Sequence, residues 1–382
     1  MLINRDYIIQ RMTQLIDEKQ LSNQQARTSA DKLYKIKQYF PKWIRQIIFH
    51  PFNPVYSVYI HYKQNKRKKG KFPLQPLYPF ATDFVKYCTE NSIGLDTKHY
   101  YPQEDESTIV SFIDNRLKSV IPGYEQTVAT SEQTEMFKRR NYLYQSSTKI
   151  AGGYTLSLDD KNYFLPHNSF EEPVFIHEYG LKYLPESVIR YIAGKDFLDV
   201  GAFIGDTALL FAKKYSPKQV YAYEPVKENI ELLEKTIAGN KSELIVPVKK
   251  GLGDKNSSLE IFVDIDHLSG SSTNQTTINN QRMKQTIEVT TIDSECKSRT
   301  VGLIKMDIEG AEYSAIIGGL ETIKRDKPVL LISMYHTGKD FFEIPPILKE
   351  AVPEYLFRFM NIEIVNPFSE KILIAYPDFT DK

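Results

Sequence analysis

The stretch Phe197-Leu-Asp-Val-Gly-Ala-Phe-Ile-Gly-Asp-Thr207 decides the fold. An apolar run breaks at Asp199, Gly201 and Gly205 follow in G-x-x-x-G spacing, and a helical pattern starts at Asp206. Glycine lets a backbone turn sharply where other residues resist it, so the stretch reads as strand, tight turn and helix. The same grammar repeats downstream. Strand-like runs at 219–223, 244–248, 301–306 and 329–334 alternate with helical runs at 206–215, 227–238 and 311–325. Alternation of this kind predicts an α/β fold, a mostly parallel sheet with helices on both faces. The runs 356–360 and 372–375 lack a long helix between them and are expected to form an antiparallel hairpin at one edge. Further short strands are expected at 154–158, 162–165, 174–176, 259–263 and 287–291.

Upstream the pattern is different. Ile8, Ile9, Met12, Leu15 and Ile16 recur at helical spacing, and 30–40, 81–91 and 107–120 read as helices. Residues 70–80, with Pro73, Pro76 and Pro79, read as a connector. The expected division is a mainly helical N-terminal accessory domain at 1–150 and an α/β domain at 151–382.

Composition sets outer limits. With 41% apolar and 25% charged residues among 382, the chain is neither collagen-like nor wholly disordered. Its charge is uneven: residues 1–71 hold 15 Lys/Arg against 4 Asp/Glu, a net of +11. Since the total is +1, the remainder sums to −10. No acid interrupts the basic stretch 35–71, whose clusters flank an aliphatic and aromatic segment at 47–60. One reading is an interfacial anchor on anionic lipid; the other is a solvated basic loop. No specific nucleic-acid partner is expected, because no RNP, zinc-finger or helix-turn-helix pattern lies beside it. The uncharged stretch 46–62, broken by Pro51 and Pro54, is too short to span a bilayer. Cys88 and Cys296 lie far apart, and no secretory signal opens the chain, so a cytoplasmic location is expected, with peripheral contact to the inner face of the membrane through 35–71 as the anchor reading's corollary.

The acids carry the functional reading. Gly201 and Gly205 are not spaced as G-x-G-x-x-G, and Asp199 before the turn is unsuited to a pyrophosphate. It suits a ligand with a cationic group, such as the amino-acid part and sulfonium of S-adenosylmethionine. Glu224, 23 residues after Gly201 at the end of the next strand, is placed to accept hydrogen bonds from both hydroxyls of a ribose. A later strand runs into Lys305-Met-Asp-Ile-Glu-Gly-Ala-Glu312. Lys305 and Asp307 fall on one face of it, so Asp307 either faces a ligand at the strand's end or pairs with Lys305. Glu309 either caps the following helix or takes part in chemistry. His336, just past the strand at 329–334, is a candidate base for a hydroxyl proton. Asp307, Glu309 and His336 would suit a metal as oxygen and nitrogen ligands, but nothing in their spacing demands one, and no metal is assigned from sequence.

Taken together, DVGAFIGDT (199–207), YEPVKEN (223–229), GLGD (251–254), IKMDIEGAE (304–312) and SMYH (333–336) resemble the FkbM family of S-adenosylmethionine-dependent methyltransferases. The likeness covers about residues 175–376, and the lead-in at 179–185 is similar to the segment before the first strand in members near glycan-biosynthesis genes. It implies a Rossmann-like class I methyltransferase sheet. It also implies O-methyl transfer from S-adenosyl-L-methionine to a sugar, a glycan or another small polar acceptor. By position it assigns Asp199, Gly201, Ala202, Phe203, Gly205, Asp206, Glu224, Pro225, Leu252 and Asp307 to the cofactor, and His336, Asp307 and Glu309 to the reaction. Where relatives often carry a basic residue followed by His, this chain has Arg358 followed by Phe359.

Overall fold

The computed structural model describes residues 1–15, 17–18, 81–91, 93–120, 142–264, 282–363 and 369–379. The expected helix at 30–40, the proline connector at 70–80 and the basic stretch 35–71 lie outside the described residues.

Seven strands form the central sheet: β1 Asp196–Val200, β2 Val220–Tyr223, β3 Ile245–Val248, β4 Val301–Met306, β5 Val329–Ser333, β6 Tyr355–Asn361 and β7 Lys371–Pro377. Their order is β6-β7-β5-β4-β1-β2-β3. Strands β1 to β5 pair in parallel, and β7 runs antiparallel between β5 and β6. The expected edge hairpin is present. Every residue of β1, β4 and β5 is buried, as expected of strands covered on both faces, and Asp196, Asp199 and Lys305 are the charged residues they enclose. Their side chains still alternate between faces. Leu198, Val200, Ile304 and Ile332 join one hydrophobic cluster, and Phe197, Leu303 and Leu331 join the other with Phe211 and Leu233.

Residues 81–120 pack into the first of these clusters. The helices Ala81–Glu90 and Glu106–Val120 set Phe84 5.6 Å from Phe341 and Phe112 5.6 Å from Phe359. A polar clasp reinforces this packing. Asp105, almost fully buried, receives Arg358 Nη2 at 2.9 Å and the edge-strand N–H of Phe359 at 2.8 Å. Asp105→Ala would leave both donors without their acceptor, so a loss of about 2–3 kcal/mol is expected in urea unfolding; an unchanged midpoint would show that aromatic packing alone holds this segment.

Three local expectations are corrected. Residues 174–176 belong to a short helix, Glu172–Phe175, with Pro173 in its first turn where its missing N–H costs nothing. The helical run 311–325 is two helices, Glu312–Ile317 and Leu320–Asp326. It breaks at Gly318, where a Cβ would lie 2.0 Å from Gly253 O. The helix Gly338–Ala351 was not expected, because Pro345 and Pro346 sit inside it; a capping box between Thr337 and Asp340 and the burial of Phe341, Phe342 and Ile344 outweigh them. The strands Ser257–Asp264 and Arg282–Thr290 form a sheet of their own with Gly251–Leu252. Among the described residues, no helix is long and apolar enough to cross a membrane.

Candidate active site

The parallel register gathers the acids on one rim, at the carboxyl ends of β1, β2, β4 and β5. Gly201 begins the turn after β1 at φ +77°, and a Cβ there would lie 1.9 Å from Asp307 O. Only glycine lets the β1 turn lie against the β4 turn this closely. The N–H groups of Gly201 and Ala202 both donate to Tyr223 O at 3.0 Å, and Phe203, at φ +47°, donates its N–H to Glu224 Oε2 at 3.0 Å. Gly205, at φ +82°, precedes the helix Asp206–Lys214. Asp206 is buried at its start, and burial pushes its carboxyl up to about 6.

Glu224 is 5% exposed and its Oε1 accepts the Val226 N–H at 2.9 Å. Burial pushes its carboxyl up to about 7 against the pull of these donors and of Lys305. The Asn229 side chain also donates to it; of the about four acceptor sites of a carboxylate one remains, so Glu224 holds the turn and can still accept from a ligand. Ala202 and Leu252 are buried beside the turn and Pro225 is half-buried.

Asp199 is fully buried beneath the turn. The expected alternative, a pair between Lys305 and Asp307, is not formed. Lys305 lies opposite Asp199 in the β1–β4 register, with its Nζ 3.1 Å from Asp199 Oδ1 and donating to Gly201 O at 2.8 Å. Asp199 thus braces the turn from below through Lys305.

Asp307 is free of Lys305 and held by two phenols: Tyr179 donates to Oδ2 and Tyr335 to Oδ1, each at 3.1 Å. Glu309, at φ +56°, leaves its side chain 28% exposed. Burial pushes its carboxyl up to about 7, with Asp307 and Glu312 adding to the shift. His336 is sealed at 1% exposure. Its Nδ1 is 2.8 Å from Glu312 Oε1, and its Nε2 is 3.5 Å from Asp307 Oδ1 and 3.7 Å from Glu309 Oε2. Burial opposes a charge on the ring, but the three carboxylates overcome it and push the imidazole up to about 10.

The structure therefore brings Asp307, Glu309 and His336 together. Glu312, Tyr179, Tyr335 and Ser333, which sequence reasoning did not single out, complete the cluster; Ser333 Oγ is 3.0 Å from the Tyr179 hydroxyl. Three of them sit inside quoted motifs, but only the folded geometry shows what they touch. Arg358, by contrast, is engaged with Asp105 and Glu104 away from the rim.

Residues 199–359 match the family model of the methyltransferase FkbM domain. The seven-stranded sheet, mostly parallel with an antiparallel hairpin at one edge, is the α/β arrangement expected from the sequence. Among solved structures, a methyltransferase FkbM from Methylobacillus flagellatus KT is similar, with 24% identity and a TM-score of 0.40. The match covers 54% of this chain and 50% of that one, so the chain spans about half the length of that protein. Fibrillarin from Aeropyrum pernix, with natively bound S-adenosyl-L-methionine, is 12% identical over 60% of this chain and 84% of its own, with a TM-score of 0.34. A tRNA (uracil-54, C5)-methyltransferase from Pyrococcus abyssi, in complex with S-adenosyl-L-homocysteine, is 12% identical over 60% of this chain and 44% of its own, with a TM-score of 0.33. No curated protein matches the chain. The matched segment begins at Asp199 and runs into β6, so it contains every rim acid described above.

Proposed function

We propose that the protein transfers a methyl group from S-adenosylmethionine to a hydroxyl of a sugar, a glycan or a similar polar acceptor. The observation that carries this reading is the convergence, on one sheet rim, of the left-handed Gly201 turn, the Glu224 carboxylate and the Asp307–Glu309–His336 cluster. The residues present fit the cofactor: Gly201 and Gly205 shape a left-handed turn at the β1 end, and Glu224 keeps acceptor capacity at the β2 end. When bound, S-adenosylmethionine supplies a methyl group activated by its sulfonium.

The chain's own residues do the rest. Glu224 and the turn from Gly201 to Gly205 bind and orient the cofactor, with Asp206, Pro225 and Leu252 bordering it. Asp307 and Glu309, whose side chains are 23% and 28% exposed, receive the acceptor hydroxyl and take its proton. His336, sealed among Asp307, Glu309 and Glu312, holds the two carboxylates in place. Tyr179 and Tyr335 fix the plane of Asp307. Carboxylates and phenols on the rim suit hydroxyl groups, which both donate and accept hydrogen bonds. Alignment of the reactants supplies the larger part of the acceleration.

The test is incubation with methyl-labelled S-adenosylmethionine and a panel of neutral sugars and glycans. The expected product is a sugar methyl ether. Label found in protein or RNA instead would move the reading to a macromolecular acceptor. Cofactor affinity should also depend on pH. A ribose hydroxyl donates to ionised Glu224, and burial raises its carboxyl to about 7. Affinity should therefore weaken as pH falls below about 7, and Glu224→Gln should bind more weakly with that dependence removed. A flat wild-type profile would contradict the role of Glu224.

A further inference from the structure

We propose that Asp307 Oδ1, Glu309 Oε2 and His336 Nε2 form a binding site for one divalent cation of the manganese or zinc type, with Glu312 as the outer partner of the histidine. The first support is the anchoring of the ring. Glu312 Oε1 lies 2.8 Å from Nδ1. The same carboxylate is otherwise occupied by the N–H groups of Ile308 at 2.8 Å and Gly310 at 2.9 Å. A carboxylate bound to the far nitrogen of a histidine is the arrangement that orients metal-ligating imidazoles, and here it turns Nε2 toward Asp307 and Glu309.

The second support is spacing. Nε2 is 3.5 Å from Asp307 Oδ1 and 3.7 Å from Glu309 Oε2. Donors about 2.1 Å from a tetrahedral ion sit about 3.4 Å apart, so the ring nitrogen stands close to ligand spacing from each of the two carboxylates. Glu312 also lies within reach of Asp307 and His336, but its oxygens already serve two backbone donors and the ring, which makes it the outer partner and leaves Glu309 as the third ligand. Asp307 has outer partners of its own in the Tyr179 and Tyr335 hydroxyls.

Access and selectivity agree with this assignment. The ring is sealed while both carboxylates reach solvent, so an ion can enter from the rim and keep an open position there. One nitrogen and two carboxylates favour manganese or zinc over calcium, which prefers oxygen alone. Binding of the ion goes beyond the methyl-transfer reading and does not depend on it. Only its use, in holding a hydroxyl oxygen and easing loss of its proton, rests on that reading.

The experiment is calorimetry of the chelator-treated full-length protein with MnCl2 and, separately, ZnCl2, with neither cofactor nor acceptor present. One ion per chain is expected to bind in the micromolar range. Affinity should fall about a hundredfold or more in Glu309→Gln and in Asp307→Asn, and about 10–100-fold in Glu312→Gln. Glu309→Gln changes a partly exposed side chain, and an unaltered circular dichroism spectrum would confirm its fold. The proposal is overturned by the absence of saturable binding below millimolar concentration, or by binding of equal strength in Glu309→Gln. Methyl transfer measured on the same samples reports on the catalytic reading separately.

Discussion

Gly201→Ala is expected to destabilise the protein by about 2–4 kcal/mol and to abolish cofactor binding. About 1 kcal/mol comes from forcing a side chain into left-handed backbone, and about 1–3 kcal/mol from the clash of its Cβ. The clash partner is backbone, Asp307 O at 1.9 Å, so no rotamer change relieves it. The β4 turn has little freedom to retreat, because the Asp307 N–H donates to Val200 O at 3.0 Å and stitches it to β1. Urea unfolding measures the first effect and calorimetry the second. A variant with the wild-type midpoint would mean that the two turns are not in contact.

The second large effect is on turnover. Glu309→Gln is expected to lower the rate of methyl transfer about 10²–10⁴-fold, with affinity for S-adenosylmethionine almost unchanged. Glu309 lies on the β4 turn beside His336, and no contact ties it to the Gly201 turn or to Glu224. The substitution keeps the side-chain shape and removes the charge. The expected signature is a fall in kcat at constant cofactor affinity, which assigns the loss to the reacting end of the site. Equal losses in cofactor affinity and turnover would place Glu309 with the cofactor instead.

Much of this architecture was legible in the sequence, for physical reasons that differ by element. Strand 301–306 has the bounds read from sequence because a doubly buried strand is apolar at nearly every position, Lys305 being its one charged residue. The turn at Gly201 was legible because two glycines and two acids occupy the positions where a strand passes into a helix. The helix at 338–351 was not, since two adjacent prolines argue against a helix that tertiary packing of Phe341 and Phe342 nonetheless stabilises. At the site, spacing placed Asp307, Glu309 and His336 on one rim but left their relations open. The partner of Lys305 depends on strand register, which sets it against Asp199. The anchoring of the His336 ring depends on Glu312, one helical turn beyond the motif's centre. Tyr179 reaches Asp307 from 128 residues upstream in sequence, through consecutive left-handed residues at 178–180 that no local pattern announces.

The measurement that bears most directly on the account is calorimetric titration of the purified protein with S-adenosylmethionine and, separately, with S-adenosylhomocysteine. The account predicts saturable binding of one molecule of either per chain in the micromolar range, weakened in Glu224→Gln and lost in Gly201→Ala. Absence of binding to both would contradict it.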